Sequence, residues 1–248
     1  MRSRATLASS RCISVTEPVL LSVERLNVYY GESHVVRDVS FRLAAGETVA
    51  VMGRNGMGKT TLFKALIGLL PVGAGRIVLS GRDVTRAKSY ERVAAGLAYV
   101  PQGRMVFPYL TVEENLLAGL ETAPDRTVPA YIYDTFPILR EMRGRLAGNL
   151  SGGQQQQLAI GRALVARPAV LLLDEPTEGI QPSIIKEIAR TLNTLRRAHG
   201  FAMVVSEQVL SFALEVADRF LILDKGQFAY EGLKADVDTA RIHAHLTI

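Results

Sequence analysis

Strand-sized apolar runs alternate with longer amphipathic stretches along most of the chain. The apolar runs lie at residues 48–52, 97–100, 170–173, 202–205 and 220–223. Because these runs are separated by helical patterns and are apolar along most of their length, they indicate a largely parallel sheet that is covered on both faces. Residues 20–30 and 34–43 instead alternate polar and apolar positions around Gly31, as paired antiparallel strands do. We therefore predict an α/β fold with a largely parallel core sheet and an antiparallel β subdomain.

Residues 107–150 follow a different pattern, because their periodicity is helical and they contain no convincing buried strand. The prolines that interrupt this segment are Pro124, Pro129 and Pro137. Thr111 followed three residues later by Glu114 is a capping box, which marks the start of a helix. No internal repeat or long linker divides the chain. We predict a helical subdomain inserted into a single domain that spans residues 18–248.

Composition narrows the classes of function. With 248 residues, of which 48% are hydrophobic and 21% charged, the chain can bury a full core as one large domain. No run approaches the roughly 20 apolar residues that span a bilayer, so any transport across a membrane has to occur in another chain. The net charge is +5, but Lys and Arg are scattered and lack interleaved aromatic residues. Nucleic acid is therefore not an expected partner.

Residues 1–17 are predicted to form a disordered basic arm. They are rich in Ser and carry Arg2, Arg4 and Arg11 with no acid before Glu17, but they lack the apolar region of a secretory signal. The single cysteine of the chain, Cys12, lies in this arm. One cysteine excludes an internal disulfide, and its position in the arm argues against a catalytic nucleophile.

The clearest chemical motif is GRNGMGKT at residues 53–60, between a predicted strand and a predicted helix at residues 61–70. Both the pattern and its setting are those of a phosphate-binding loop. Its glycines let backbone N–H groups turn toward phosphate oxygens, and the N-terminus of the following helix adds partial positive charge. Lys59 is expected to reach the β- and γ-phosphates of a nucleoside triphosphate, and Thr60 to bind Mg²⁺.

Two acids, Asp174 and Glu175, end the apolar run at residues 170–173. Ligands of open α/β sheets bind at this edge of the sheet. Asp174 is predicted to hold Mg²⁺, directly or through water, and Glu175 to polarise the attacking water in phosphoryl transfer. Taken alone, the acidic pair could instead cap a helix.

The sequence LSGGQ at residues 150–154 precedes a helical pattern at residues 155–166. Ser151 and the two glycines after it would expose N–H groups at a helix N-terminus, which predicts a second anion site. On its own, a Ser-Gly-Gly sequence is also an ordinary helix start.

Together, GRNGMGKT, LSGGQ and LLLDEP resemble the ATP-binding-cassette (ABC) family, and the resemblance runs from about residue 21 to residue 232. LSGGQ separates this family from other phosphate-loop ATPases and from phosphate-loop kinases, in which it would have no role. The resemblance implies the P-loop NTPase fold of an ABC cassette and hydrolysis of ATP with Mg²⁺. It also implies two cassettes facing head to tail, with the LSGGQ of one closing over the nucleotide on the phosphate loop of the other.

The resemblance extends to single residues. Tyr30 looks like the aromatic residue that stacks on adenine, although without the family it is more typical of core or strand surface. Gln102, in YVPQGR, looks like the glutamine that senses Mg²⁺ and the helical subdomain. The expected nucleotide-binding residues are Tyr30, Gly53, Arg54, Asn55, Gly56, Met57, Gly58, Lys59, Thr60, Thr61, Gln102, Ser151, Gly152, Gly153 and Gln154. The expected Mg²⁺ ligands are Thr60, Gln102 and Asp174, and the expected catalytic residues are Glu175 and Gln208.

Two positions depart from the common family pattern. Gln208, in VSEQ, stands where a histidine usually contacts the γ-phosphate, and Gln181, in EGIQP, stands where an aspartate is usual. A neutral amide can donate a hydrogen bond to phosphate, but it cannot act as a cation. The departures therefore put equal activity of the two composite sites in doubt.

These departures, with YVPQGR and FPYLTVEENL, resemble one branch of the family, the second ATPase of branched-chain amino-acid-type importers. Within that branch, SGGQQQQLAIGRAL and DEPTEGIQPSII look most like the importers of urea or short-chain amides. The alternatives are an importer of branched-chain amino acids and, in another class, a non-transport cassette ATPase of DNA repair, chromosome organisation or translation. The last would need long coiled coils or a second fused cassette, which the sequence does not show.

The resemblance also implies partners. We expect two membrane permease subunits, a second ABC ATPase subunit in a heterodimer or homodimer, and an extracytoplasmic solute-binding protein that acts indirectly. Phe107, Pro108 and Tyr109 are expected to contact the permease. The chain would lie peripherally on the cytoplasmic face of the cell (inner) membrane.

Overall fold

The computed structural model describes residues 18–121 and 125–246. The predicted basic arm with Cys12, and also Pro124, lie outside these residues. No helix in the described ranges is long and apolar enough to cross a membrane.

The core of the chain is a six-stranded sheet. Its strands are β3 (Thr48–Met52), β6 (Leu97–Val100), β7 (Val170–Asp174), β8 (Ala202–Glu207), β9 (Arg219–Asp224) and β10 (Gln227–Leu233). Their order is β10-β9-β3-β8-β7-β6, and every pair is parallel except the edge hairpin of β9 and β10. All five predicted apolar runs lie inside strands of this sheet, which confirms the predicted α/β fold with a largely parallel core.

A second, antiparallel sheet precedes the phosphate-binding loop. Its strands are β1 (Val19–Tyr30), β2 (Ser33–Ala44), β4 (Ala74–Leu79) and β5 (Arg82–Asp83), in the order β2-β1-β4-β5. The predicted pair of strands is confirmed as β1 and β2, joined by a turn at Gly31. The partner strands β4 and β5 were not predicted: the apolar part of β4 is only three residues long and follows Gly75 and Arg76, and β5 consists of two charged residues.

Helices cover both faces of the core sheet. They are α1 (Lys59–Ile67), α2 (Ser89–Ala94), α3 (Val112–Ala118), α4 (Ala130–Thr135), α5 (Pro137–Glu141), α6 (Gly152–Leu164), α7 (Pro182–His199), α8 (Leu210–Val216) and α9 (Thr239–Leu246). Successive residues of β7 pack on opposite faces, as expected for a fully buried strand. Leu171 and Leu173 join a core with α6 and α7, whereas Val170 and Leu172 join a core with α1 and the antiparallel sheet.

The segment at residues 107–150 contributes α3, α4 and α5, and its described residues form no strand beyond a single bridge between Thr111 and Leu146. The predicted capping box is confirmed, because Thr111 Oγ1 accepts from the N–H of Glu114 and the Glu114 carboxylate accepts from the N–H of Thr111. The helices pack against α6 through Leu116 and Leu139 in a core that continues to the sheet. This packing joins the segment to the helix that begins after Ser151.

Candidate functional site

The loop at residues 53–60 runs from the end of β3 into α1, as predicted. At Gly53 a Cβ atom would lie 2.4 Å from the carbonyl oxygen of Leu223, so only glycine fits. Gly58 is the N-cap of α1 and provides no side-chain cap, so the first N–H groups of the helix remain available to an anion.

The outer side of the loop is held by the turn between β9 and β10. The N–H of Gly226 donates to the carbonyl of Met57 (3.1 Å), and the N–H of Lys225 lies 3.4 Å from the sulfur of the same methionine. The carbonyl of Gly226 in turn accepts from the N–H of Arg37 on β2 (2.8 Å). The turn therefore joins the phosphate-binding loop to the antiparallel sheet.

Lys59 is buried, and its ammonium lies inside the loop. Nζ donates to the carbonyls of Gly53 (2.7 Å) and Arg54 (3.1 Å) and lies 3.1 Å from Oε1 of Glu175. The side chains of Lys59 and Glu175 are only 3% and 10% exposed. The predicted phosphate-binding lysine and the predicted catalytic carboxylate are thus in direct contact.

Asp174 ends β7 as a buried carboxylate with three hydroxyl partners. Its Oδ1 accepts from Ser206 (2.5 Å) and Thr60 (3.3 Å), and its Oδ2 accepts from Tyr99 (3.1 Å). Burial raises the pKa of Asp174, and the three hydrogen bonds oppose that rise. Desolvation, together with the negative charge of Asp174, raises the pKa of Tyr99.

The oxygens of Thr60 and Asp174 are a donor set that fits Mg²⁺, which prefers oxygen ligands and completes its shell with water and phosphate oxygens. Two protein oxygens alone do not form a cage for a metal ion. The donor chemistry is that of an ion bound together with a nucleotide.

Glu175 stands at a left-handed backbone position, φ 47°. Its N–H donates to both the carbonyl and the hydroxyl of Ser206, at 3.0 and 3.1 Å, which holds this conformation. Two amides converge on its carboxylate: Gln102 Nε2 on Oε2 (3.2 Å) and Gln208 Nε2 on Oε1 (3.1 Å). Gln208 also donates to Asn55 Oδ1 (2.7 Å). This glutamine therefore links the carboxylate of Glu175 to the phosphate-binding loop.

Ser151 is the N-cap of α6 and forms a capping box with Gln154. The helix therefore begins at Gly152, three residues earlier than the pattern predicted. Ser151, Gly152, Gly153 and Gln154 line a groove of about 600 Å³ together with residues 179–181. None of residues 53–60 lines this groove, so the structure brings the LSGGQ residues together at a place separate from the phosphate-binding loop.

Tyr30 is the last residue of β1 and is 47% exposed. Its neighbour Tyr29 is stacked on His34, with ring centroids 4.3 Å apart. Thr61 lies in the first turn of α1, and Gly56 and Met57 lie in the turn before it. All of the predicted site residues are among those that the structure describes.

Sequence reasoning missed several polar residues that surround the acids. Ser206 and Glu207 end β8 as Asp174 ends β7, and Thr177 follows Glu175 by two residues. The rule that located Asp174, polar residues at the carboxyl end of an apolar strand, could also have located Ser206 and Glu207. Tyr99 carried no comparable signal, because a tyrosine in a buried strand is usually a core residue.

Two arginines tie the loop after β6 to its surroundings, and neither was predicted. Arg104 Nη2 donates to the carbonyls of residues 178 and 179, at 2.9 and 3.3 Å. Arg162, on α6, donates to the carbonyl of Met105 (2.7 Å), and its guanidinium lies 5.0 Å from the ring of Phe107. The loop that begins with Gln102 is therefore bonded both to the segment after Glu175 and to α6.

Comparison with known proteins gives matches over most of the chain. The family model described as ABC transporter matches residues 36–178. The high-affinity branched-chain amino acid transport ATP-binding protein BraG of Pseudomonas aeruginosa is 40% identical over 211 residues, which cover 84% of this chain and 90% of that protein. A probable branched-chain amino acid transport ATP-binding protein, LivF, of Archaeoglobus fulgidus is 38% identical, covering 86% of this chain and 92% of that protein.

Solved structures agree with these matches. A structure described as an ATP-binding subunit of an ABC transporter superimposes with a TM-score of 0.79 at 27% identity, covering 92% of this chain and 100% of that chain. The loop at residues 53–60, the acids Asp174 and Glu175, and the LSGGQ residues at Ser151 all lie within residues 36–178, which the family model matches.

Proposed function

Because the chain belongs to the ABC transporter family and is an ATPase whose hydrolysis of ATP is coupled to transport, we propose that it drives solute uptake in a branched-chain amino-acid-type importer. The observation that carries this proposal is the 40% identity to BraG over 90% of that protein's length. Gln208 and Gln181, which depart from the common family pattern, also support membership in this branch.

We assign the parts of the site as follows. Lys59 and the N–H groups at the start of α1 bind the nucleotide phosphates, and Tyr30 offers an exposed ring to the adenine. Thr60, Asp174 and Gln102 would hold Mg²⁺, and the ion would neutralise charge on the phosphates. Their oxygens and the buried setting of Asp174 support this assignment.

Glu175 orients the attacking water. The side chain of Glu175 is 10% exposed, and its carboxylate contacts Lys59 and accepts hydrogen bonds from Gln102 and Gln208. A base that is fixed by three donors is well positioned for an in-line attack, which needs orientation more than covalent chemistry. Gln208 fixes the distance between this carboxylate and Asn55 of the phosphate-binding loop.

ABC ATPases dimerise, and for this chain we propose a second, different cassette as the partner, with a homodimer as the alternative. The groove lined by Ser151 and residues 179–181 is open at the surface and separate from the phosphate-binding loop. The separation of this groove from the phosphate-binding loop of the same chain supports the head-to-tail arrangement, in which the groove of one cassette faces the nucleotide of the other.

The surface that meets the permease is proposed to lie around Phe107, Pro108 and Tyr109. The side chain of Tyr109 is 88% exposed, and Phe107 is 48% exposed. Arg162 and Arg104 tie this loop to α6 and to the segment after Glu175. Movement of the hydrolytic site can therefore reach the exposed loop, and the chain would act from the cytoplasmic face of the membrane with a solute-binding protein outside.

Two solutes remain candidates. Similarity to BraG favours branched-chain amino acids. The sequences SGGQQQQLAIGRAL and DEPTEGIQPSII favour urea or short-chain amides, a likeness that the comparisons with known proteins leave without support.

The test is uptake of labelled leucine and labelled urea, at low concentration, in cells whose only copy of the chain carries Glu175→Gln. Glu215→Gln is the matched control, since Glu215 is an exposed acid on α8 away from the site. Loss of leucine uptake alone supports the amino-acid importer, and loss of urea uptake alone supports the urea importer. If neither uptake changes relative to the control, both solutes are wrong.

A further inference from the structure

Glu207 is a buried carboxylate that none of the roles above uses. It is the last residue of β8, and only 2% of its surface is exposed. Its Oε1 accepts from the N–H (3.1 Å) and the hydroxyl (2.6 Å) of Thr177. Its Oε2 accepts from the N–H groups of Gln208 (2.9 Å) and Val209 (3.0 Å). Two donors on each oxygen satisfy the whole acceptor capacity of an ionised carboxylate.

These four donors come from the two segments that flank Glu175. Thr177 follows Glu175 by two residues in the chain, and Gln208 is the residue whose amide donates to Glu175 Oε1. In the described residues, Glu207 has no ion pair with a cation. A buried charge that is compensated only by backbone and hydroxyl donors is costly unless its geometry is well determined. The cost suggests a role beyond packing.

We propose that Glu207 is a positioning residue for ATP hydrolysis, which fixes the backbone of Gln208 so that the Gln208 amide stays on Glu175. The proposal rests on the roles of Glu175 and Gln208 given under the proposed function. Glu207 touches neither Glu175 nor the reacting atoms, so its effect on hydrolysis passes through Gln208.

The two halves of this carboxylate respond differently to substitution. In Glu207→Gln, the amide oxygen can accept from the N–H groups of Gln208 and Val209. The NH₂ group then faces Thr177, whose hydroxyl can accept but whose N–H, 3.1 Å from Oε1 in the unaltered chain, loses its acceptor. The hydrogen bonds that position Gln208 are therefore kept. Glu207→Ala loses the hydrogen bonds of both oxygens. The hydrolytic activity is therefore expected to decrease from the unaltered chain to Glu207→Gln and further to Glu207→Ala, although both variants remove the charge.

The experiment is a double-mutant cycle on the full-length chain, with kcat and KM for ATP measured separately at saturating Mg²⁺. Glu207→Ala and Gln208→Ala are each expected to lower kcat about tenfold and to leave KM within about twofold, since orientation rather than binding is lost. The double variant should be no slower than either single variant, because both act through the same contact. Glu207→Gln should lower kcat less than about threefold.

Thr177→Val is the control for loss of stability. It removes one donor from the same carboxylate on the side away from Gln208, so it should lower the midpoint of thermal unfolding and leave kcat unchanged. A merely structural role would make kcat follow that midpoint across all variants, which would overturn the proposal. If Glu207→Ala does not fold, Glu207→Asp takes its place in the cycle, because the shorter side chain cannot span both sets of donors.

Two failures are distinguishable. If Gln208→Ala lowers kcat and Glu207→Ala does not, or if the double variant is about a hundredfold slower than the unaltered chain, the positioning role is wrong and the proposed function stands. If Gln208→Ala leaves kcat unchanged, the role assigned to Gln208 in hydrolysis is wrong, and the positioning role fails with it.

Discussion

The buried guanidinium of Arg92 should be a main determinant of stability near the phosphate-binding loop. Arg92 lies on α2 and is 2% exposed. It donates four hydrogen bonds, all to backbone carbonyls: those of Ala65 (2.7 Å) and Leu66 (2.7 Å) in the last turn of α1, and those of Thr85 (2.9 Å) and Ala87 (3.0 Å). It therefore caps the C-terminus of the helix that begins with Lys59, where a cation is favoured.

The contribution of Arg92 to stability is the difference between the gain from its hydrogen bonds and the cost of burying its charge. A hydrogen bond to a charged group contributes roughly 1.5–3 kcal/mol, so four bonds represent a large gross stabilisation. Burial of a guanidinium without a carboxylate costs several kcal/mol, and the same burial lowers the pKa of Arg92. Arg92→Met keeps the volume, removes the charge and leaves the carbonyls without their donor. We expect a net loss of about 2–4 kcal/mol in the free energy of unfolding.

Urea unfolding followed by far-UV circular dichroism is the suitable assay, because the chain has no tryptophan. The midpoint should fall by about 1 M in Arg92→Met. The midpoint of Arg92→Lys should fall by about half as much, since an ammonium reaches fewer of the four carbonyls. Arg86→Met is the matched control: Arg86 is exposed on the neighbouring turn, and its substitution should change the free energy by less than about 0.5 kcal/mol.

An unchanged midpoint in Arg92→Met would refute this reasoning. It would mean that the cost of burying the charge cancels the four hydrogen bonds. A midpoint for Arg92→Lys below that of Arg92→Met would show the same, because it would make the buried charge the dominant cost.

The remaining predictions concern the hydrolytic site. Glu175→Gln should retain ATP binding, measured with a fluorescent nucleotide, while phosphate release slows by at least about a hundredfold; hydrolysis at the normal rate would disprove the role of Glu175. Lys59→Ala should weaken ATP binding at least about tenfold in the same titration, because the cation inside the loop is lost; unchanged affinity would contradict this. Burial raises the pKa of Glu207, so the folded chain keeps a proton that the unfolded chain releases, and stability falls as pH rises from about 4.3 through the raised value. Urea midpoints between pH 5 and 8 should therefore depend less on pH in Glu207→Gln, and an equal slope in both chains would refute this.

Five of the six strands of the core sheet could be predicted because each is apolar along most of its length, and the antiparallel pair because β1 and β2 alternate. Helix bounds were less accurate. The predicted helix at residues 61–70 begins at Lys59 and ends at Ile67, where Gly68 adopts a left-handed conformation and closes the helix. That glycine, and the S-x-x-Q capping box at Ser151, were readable signals. The edge strand β10 carried none, because its residues are only partly buried and mixed in character.

The members of the site could be predicted from their motifs, but their mutual contacts could not. The bond from Gln102 to Glu175 joins residues 73 positions apart, and the bond from Gln208 to Asn55 joins residues 153 positions apart. No local pattern encodes such distances. Arg104 and the Thr177 side of Glu207 have partners that only folding brings to them, so sequence alone could place Glu207 at the correct edge of the sheet and no further.

The turn at Gly226 has a consequence for how the chain can be shortened or fused. The nucleotide motifs themselves all lie before Lys225, yet Met57 depends on the N–H groups of residues 225 and 226. A Cβ at Gly226 would lie 2.0 Å from the carbonyl oxygen of Val35, so no other residue fits at this position of the turn. A chain cut after Asp224 would keep each motif intact and still lose the outer wall of its phosphate-binding loop. The hairpin of β9 and β10 therefore helps to hold the conformation of the phosphate-binding loop, and it is part of the nucleotide-binding unit.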